Sequence, residues 1–287
     1  MKKFKDPLIM LLLLLLIASS SCKKDDGNND IIIDDDVINN DGNNETAEIP
    51  NEGLVAYYPF NGNTNDESDN QNDGINFGAT LTADRFGNQN KAFQFDGIDD
   101  FIEIIPVSDV SAIGDFTFSV WTYLEAWEKQ EGYNEADFQY VFNGHAHSSL
   151  VTSEFFRPGF NIAFSLSNLG EENLLNYFLY TVNDLANNYL LTQKTLALSG
   201  QWRHLIWGRK GNQDFTYVDG QLVEQTYANH INKSTPMDMQ HSWYIGTFSG
   251  NNPNYNDFNY NFHGKIDDLR FYNMALEEKH IKAIFQE

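Results

Sequence analysis

Around residue 118 the chain repeats with a period of two: Phe116, Phe118 and Val120 alternate with Thr117, Ser119 and Trp121. Such a period puts the two sets on opposite sides of an extended backbone, whereas a helix with 3.6 residues per turn would scatter them. Near the end of the chain Leu269 and Phe271 alternate with Arg270 and Tyr272 in the same way. Asp96-Gly97, Asn143-Gly144 and Asp219-Gly220 punctuate these runs with residue pairs that enter left-handed turns at little cost. The pattern predicts an all-β body whose strands bury one face in a core. Only the tail departs from it. Leu276, Ile281, Ala283 and Ile284 lie among Glu277, Glu278, Lys279 and Lys282, a spacing that predicts a short helix over 276–285, capping the strands. No low-complexity break divides the 235 residues from Gly53 to Glu287, so a single domain is expected over 52–287.

The first 21 residues read differently. Three lysines within Met1–Lys5 precede an apolar run from Leu8 to Ile17 that closes on Ala18-Ser19-Ser20-Ser21. That run is shorter than the roughly 20 residues a membrane span needs, so it reads as a removable signal peptide. Cys22 follows directly and is the chain's one cysteine, which excludes an intramolecular disulfide. Small residues ending in Cys resemble the lipobox of bacterial lipoproteins, although Ser19 stands where the commoner pattern has Leu. The resemblance implies diacylation of Cys22 and a membrane anchor. Lys23-Lys24-Asp25-Asp26 is similar to the export signal of surface lipoproteins in the Bacteroidetes group, which implies display on the outer membrane. The Asp- and Asn-rich segment completing 22–51 lacks the apolar content to fold and reads as a tether, holding the domain roughly 30 Å from the membrane.

Lys and Arg total 18 against 41 Asp and Glu, a formal charge of -23, so a nucleic-acid backbone would be repelled. No Gly-x-Ser-x-Gly elbow, His-Glu-x-x-His pair or phosphate-binding loop occurs, which leaves nucleophilic, zincin and nucleotide chemistry without a foothold. His145 and His147 read as a surface turn rather than a metal pair, and His204, between Trp202 and Ile206, as a hydrogen-bonded core histidine. The acidic residues keep an extracellular protein soluble and some can also supply oxygens to calcium, for which Asp66, Asp69, Asp96-Gly97, Asp99-Asp100 and Asp267-Asp268 are candidates. Sugar recognition needs flat aromatic faces beside amides and carboxylates. Trp121 and Tyr123 share one strand face, and the segment 251–263 interleaves Tyr255, Phe258, Tyr260 and Phe262 with six Asn and one Asp. Trp121, Tyr123, Tyr255 and Tyr260 are the candidate ligand-binding residues.

Four segments in order carry a family resemblance: 53–74 (GLVAYYPFNGNTNDESDNQNDG), 92–104 with 116–125 (AFQFDGIDDFIEI, FTFSVWTYLE), 201–223 (QWRHLIWGRKGNQDFTYVDGQLV) and 264–285 (GKIDDLRFYNMALEEKHIKAIF). Together they resemble the laminin-G-like jelly roll of the concanavalin A-like lectin/glucanase superfamily. The resemblance implies a two-sheet antiparallel sandwich that binds a polysaccharide or other glycan. It also implies one structural calcium held by Asp267 or Asp268 with Asp96 and main-chain oxygens near Gly97, the alternative being acidic turns that only cap and solvate. The glucanases of the superfamily set Glu-x-Asp-x-(x)-Glu along a strand. The acidic stretch 125–135 is interrupted by Ala126, Trp127 and Gly132, so no enzymatic role is expected. The second reading is a structural module that binds an envelope protein through its loops, and the third a glycoside hydrolase whose two carboxylates meet from separate strands.

Overall fold

A computed structural model describes residues 47–125, 138–144, 159–166, 173–180, 194–195, 199–211, 213–227, 239–248 and 261–287. Chain contacts gather 45–287 into one compact unit. Its elements in chain order are β1 (Leu54–Tyr58), β2 (Gly74–Phe77), β3 (Thr80–Thr82), β4 (Ala92–Asp96), β5 (Phe101–Ile104), β6 (Phe116–Leu124), β7 (Phe138–Asn143), β8 (Gly159–Leu166), β9 (Asn173–Tyr180), β10 (Lys194–Thr195), β11 (Trp202–Lys210), β12 (Gln213–Val218), β13 (Gln221–Tyr227), β14 (Trp243–Ile245), β15 (His263–Tyr272) and α1 (Glu278–Gln286). Two antiparallel sheets result. The first runs β13-β12-β11-β6-β15-β4-β3, with β1 also paired to β15; the second runs β10-β9-β8-β7-β14-β5-β2.

The period-two residues meet between the sheets. Phe118 of the first sheet lies 4.6 Å, ring centre to ring centre, from Phe142 of the second, and Phe271 lies 5.7 Å edge-on to Trp243. Both pairs belong to a continuous core with Phe116, Val120, Leu269, Ile102 and Ile245. At about 1.5–3 kcal/mol for each fully buried large side chain, this layer dominates the stability of the domain. Phe262, expected to be an exposed loop aromatic, sits in the same core against Phe95 and Phe164, because it immediately precedes β15 and enters between the sheets.

The turn between β12 and β13 follows from its residues. Asp219 and Gly220 both adopt positive φ, 49° and 71°, the combination a two-residue hairpin with right-handed strand twist requires. Asn143-Gly144 differs from the expectation. Gly144 has no positive φ and is needed for space, since a Cβ there would strike Met239 and Phe142.

A second difference concerns β6, which is buried on both sides rather than one: only Tyr123 within it is partly exposed. The cause is α1, which presents Ile281 and Ile284 to the outer face of the first sheet. There they join Ile206, Phe215, Tyr217, Tyr272 and Leu276 in a separate apolar cluster.

Candidate functional site

The outer face of the first sheet carries its side chains in cross-strand rows. Pairing sets Trp202 of β11 beside Tyr123 of β6, Tyr123 beside Lys265 of β15, Lys265 beside Gln94 of β4, and Gln94 beside Thr80 of β3. Trp202 and Tyr123 meet edge to face at 5.9 Å, and the Lys265 ammonium stands 4.8 Å from the Tyr123 ring centre. These four residues from Trp202 to Gln94 are all half-buried.

Two positions along the strands the next row reads His204, Trp121 and Asp267. Trp121 is stacked on His204 at 4.9 Å and on Phe285 of α1 at 5.7 Å, with the Arg85 guanidinium 4.7 Å from its ring centre. Those neighbours leave Trp121 only 9% exposed. Its indole Nε1 is buried and finds no acceptor among the described residues.

Arg85 is delivered by a turn that Asp84 organises. The Asp84 carboxylate accepts hydrogen bonds from the backbone N–H groups of Phe86 and Asn88 and from the Asn88 amide, and Gly87 turns the chain with a φ of 87°. Arg85 Nη1 then reaches both Asp267 at 3.0 Å and Asp268 at 2.5 Å. Consecutive strand residues normally point to opposite faces. The pairing of β15 with β6 slips between Asp267 and Arg270, and Asp268 has a φ of 44°. This bulge lets two successive carboxylates converge on one guanidinium. Tyr57 donates its hydroxyl to Asp268 at 2.9 Å, Arg270 lies 3.8 Å over the Tyr57 ring, and Arg270 reaches the Glu287 carboxylate at 2.5 Å.

Burial, reinforced by the Asp268 charge and only partly offset by Arg85, pushes the Asp267 carboxyl up to about 8. His204 moves the other way. Burial, with the Arg270 and Arg85 cations adding to it, lowers its pKa to about 3, so the ring is neutral; its Nε2 bonds Ser119 Oγ at 2.8 Å. The sequence reading of His204 as a bonded core histidine matches this placement.

Beside this network lies a cavity of about 250 Å³ lined by Arg85, Phe86, Trp121, Trp202, Phe285, Gln286 and Glu287. Aromatic walls with a few polar groups are what a small-molecule site is made of. Asp267 and Asp268 are not among the lining residues, because Arg85 covers them.

Of the residues singled out from sequence, Trp121 and Tyr123 lie on this face, whereas Cys22, Tyr255, Tyr260 and the His145/His147 pair fall outside the described residues. The expected calcium set is not brought together. Asp96 pairs with His263, which places Asp267 four residues further along β15, about 13 Å away at the strand rise. Asp267 and Asp268 already face the Arg85 cation and do not fit a metal. A different trio gathers around Gly97: carboxylate oxygens of Asp96, Asp99 and Asp100 lie within 4.8 Å of one another. Burial and the two neighbouring charges raise the Asp100 carboxyl, against the opposing hydrogen bond from the Asp96 backbone N–H. Asp66 is occupied in closing its own loop, accepting from the N–H groups of Tyr57, Ser68 and Asn72.

Three contributors escaped the sequence reading. Trp202 was legible, since it shares a strand face with His204; Arg85 and Phe285 reach the site only through a loop and a helix whose positions no local pattern encodes.

The sequence pattern of the concanavalin A-like lectin/glucanases superfamily matches residues 96–282. No curated protein sequence matches the chain. Among solved structures, the binding domain of botulinum neurotoxin serotype D is similar with a TM-score of 0.55 at 11% identity, covering 82% of this chain and 51% of that one. The same toxin's ligand-binding domain in complex with N-acetylneuraminic acid gives 0.54 at 11% identity, covering 82% and 51%. The binding domain of Paraclostridial Mosquitocidal Protein 1 gives 0.53 at 16%, covering 81% and 52%. The chain thus spans about half the length of these neighbours, and at such identities the likeness establishes the fold alone. With the family pattern covering well over half its length, the chain belongs to the concanavalin A-like lectin/glucanases superfamily.

Proposed function

We propose that this chain is a lipid-anchored surface protein of the outer membrane whose sandwich domain binds a glycan without cleaving it. One observation carries the reading: a cavity walled by Trp121, Trp202 and Phe285 opens beside a row of half-buried Tyr123, Lys265 and Gln94. Aromatic faces stack on the apolar side of a sugar ring while amide, ammonium and carboxylate groups hold its hydroxyls. The neurotoxin domain bound to N-acetylneuraminic acid lends support, as a sugar-binding protein of the same fold.

A glycosidase needs a raised general acid facing a second carboxylate across the scissile bond. Asp267 is raised and has Asp268 beside it, but Arg85 separates both from the cavity, which supports binding rather than hydrolysis. A glycan array on the purified protein, followed by reducing-sugar release from any bound polymer, tests this. Binding without release is expected; release abolished by Asp267→Asn would overturn it.

The anchor belongs to the same proposal. Acylation at Cys22 is expected to incorporate labelled palmitate and to be lost in Cys22→Ser. Calcium, if this domain holds it, is assigned to Asp96, Asp99 and Asp100 rather than to Asp267 and Asp268. Calcium should then raise the melting temperature over EDTA, and Asp99→Asn should abolish the increment. The second reading, an envelope-protein module, draws on exposed apolar side chains near one another in sequence, Ile98 at 72%, Ile105 at 55% and Val107 at 71%. A silent array with one co-purified envelope protein would favour it.

A further inference from the structure

We infer that the outer face of the second sheet, on the side of the sandwich away from the cavity, docks a cationic segment of a protein partner that carries apolar side chains between lysines or arginines. The inference does not rest on the glycan reading, and it gives the envelope-protein reading a surface and a partner chemistry. Three observations lead to it.

The first is an exposed apolar stripe. Ile102 and Ile104 of β5 point into the core, so Phe101 and Glu103 point outward. The alternation outlasts the strand, with Pro106 buried between exposed Ile105 and Val107. Pairing sets Ile75 of β2 beside Glu103 and Phe77 beside Phe101, and Ile75 is 50% and Phe77 37% exposed. Phe77 stacks on Phe101 at 4.6 Å while Tyr244 of β14 meets Phe101 edge-on at 6.1 Å, which gives the stripe a rigid aromatic floor. Of the eight large apolar side chains exposed among the described residues, four lie here: Ile75, Phe77, Ile105 and Val107. Single exposures are ordinary, but a contiguous set marks an interaction surface. From Phe101 to Val107 the stripe runs about 20 Å at the strand rise, room for roughly six residues of extended chain.

The second is charge. β2, β5, β7, β8, β9 and β14 contain no Lys or Arg, and neither do the stretches 72–79, 99–110 and 241–248 around the stripe. Those stretches hold five carboxylates. Glu103 stands within the stripe, between Ile75 and Tyr244 in the pairing, and exposed Asp73 and Asp109 flank its Val107 end. Lysines or arginines of a partner would meet carboxylates with no competing cation on these strands. A second copy of this chain, also at a formal -23, and an anionic lipid surface would both be repelled.

The third is the missing cover. Among the described residues the one helix is α1, and its apolar side joins the outer face of the first sheet. The acidic pair on that sheet likewise has its own cation, Arg85. The stripe on the second sheet has neither, and β2 lies at the sheet edge, where a segment can approach from the side.

The test is fluorescence anisotropy of three labelled synthetic peptides with the purified protein. One alternates lysine with isoleucine and phenylalanine, one has serine in place of the apolar residues, and one has glutamate in place of lysine. The lysine–apolar peptide is expected to bind at least about tenfold more tightly than either of the others. Ile105→Ser and Val107→Ser, at exposed positions, should each weaken it about fivefold at an unchanged melting temperature. Glu103→Gln should flatten the dependence of its affinity on salt between about 50 and 500 mM. Leu222→Ser, an exposed change on β13 of the first sheet, should leave it unaltered. Equal binding of the lysine–serine peptide, or equal losses in Leu222→Ser and Ile105→Ser, would reduce the effect to net charge and overturn the surface. Binding to phosphatidylcholine vesicles, or a concentration-dependent dimer, that is lost in Ile105→Ser would overturn the protein partner in favour of a lipid surface or a second copy. A co-purified envelope protein retained by both Ile105→Ser and Val107→Ser would overturn this location while leaving the envelope-protein reading standing.

Discussion

Around β6 the two faces of the first sheet are both buried and are built on opposite principles. Between the sheets, Phe118, Phe271, Phe142 and Trp243 interlock in one continuous apolar core. Under α1, the same strands bury His204, Asp267 and Arg270 among aromatic rings. The inner layer gains from area removed from water and tolerates no gap. The outer layer holds charges that are stable only while every partner stays in place, and Trp121 Nε1 has no acceptor there among the described residues. Burial alone therefore does not separate scaffold from site here; the kind of burial does.

Truncation should break the comparison most sharply on the inner side. Phe118→Ala removes a ring packed 4.6 Å from Phe142 and should destabilise the domain by about 3–5 kcal/mol, read by chemical denaturation. A loss below about 1 kcal/mol would mean that the inner layer is not the continuous core described.

Arg85→Ala leaves buried Asp267 and partly buried Asp268 without their cation, with an expected cost of about 3 kcal/mol and loss of ligand affinity. The double change Arg85→Met with Asp267→Asn should recover part of that stability but not the binding. Recovery of both would show that Arg85 acts on the site only through stability.

The strands and their parity were legible because period two is a local property: Leu269 and Phe271 face the core while Arg270 and Tyr272 face α1, as alternation dictates. The helix expected over 276–285 is found at Glu278–Gln286 for the same reason. What α1 covers was not legible. Trp121 and Tyr123 share a face, yet Phe285 buries the first and leaves the second half-open, a distinction set by where the helix docks. The calcium set failed on register. Asp96 and Asp267 are joined by a family resemblance, but the β4–β15 pairing fixes them four residues apart, and the bulge at Asp268 turns the acidic pair onto Arg85.

A smaller effect should appear as pH dependence confined to the outer layer. Asp267, raised to about 8 by burial and Asp268, holds a proton in the folded state that the unfolded chain has lost; its contribution is full below pH 4 and fades as pH rises to 8. His204, lowered to about 3 by burial and the Arg270 and Arg85 cations, refuses a proton that the unfolded chain takes up. Its contribution is full above pH 6.5 and fades as pH falls towards 3. Between about pH 4 and 6.5 the two slopes oppose each other, each at most about 1.4 kcal/mol per pH unit. In the difference between wild type and Asp267→Asn, stability should fall with rising pH across the whole span from 4 to 8. A flat difference would place Asp267 in an ordinary, ionised state.

The smallest effect belongs to the solvent side of α1, which serves as the control for both layers. Lys282 and Glu278 form an i, i+4 ion pair with both side chains about half exposed or more, at 49% and 60%. Water screens such a pair and side-chain entropy opposes it, so Lys282→Ala should leave melting temperature and glycan affinity unchanged within error. Two residues on, Ile284 is fully buried against the sheet, and Ile284→Ala loosens the helix that carries Phe285 onto Trp121. That variant should lose both stability and affinity. Equal losses from the two substitutions would mean that α1 is held by its charges rather than by its apolar face, and the contrast between the layers would then end at the sheet.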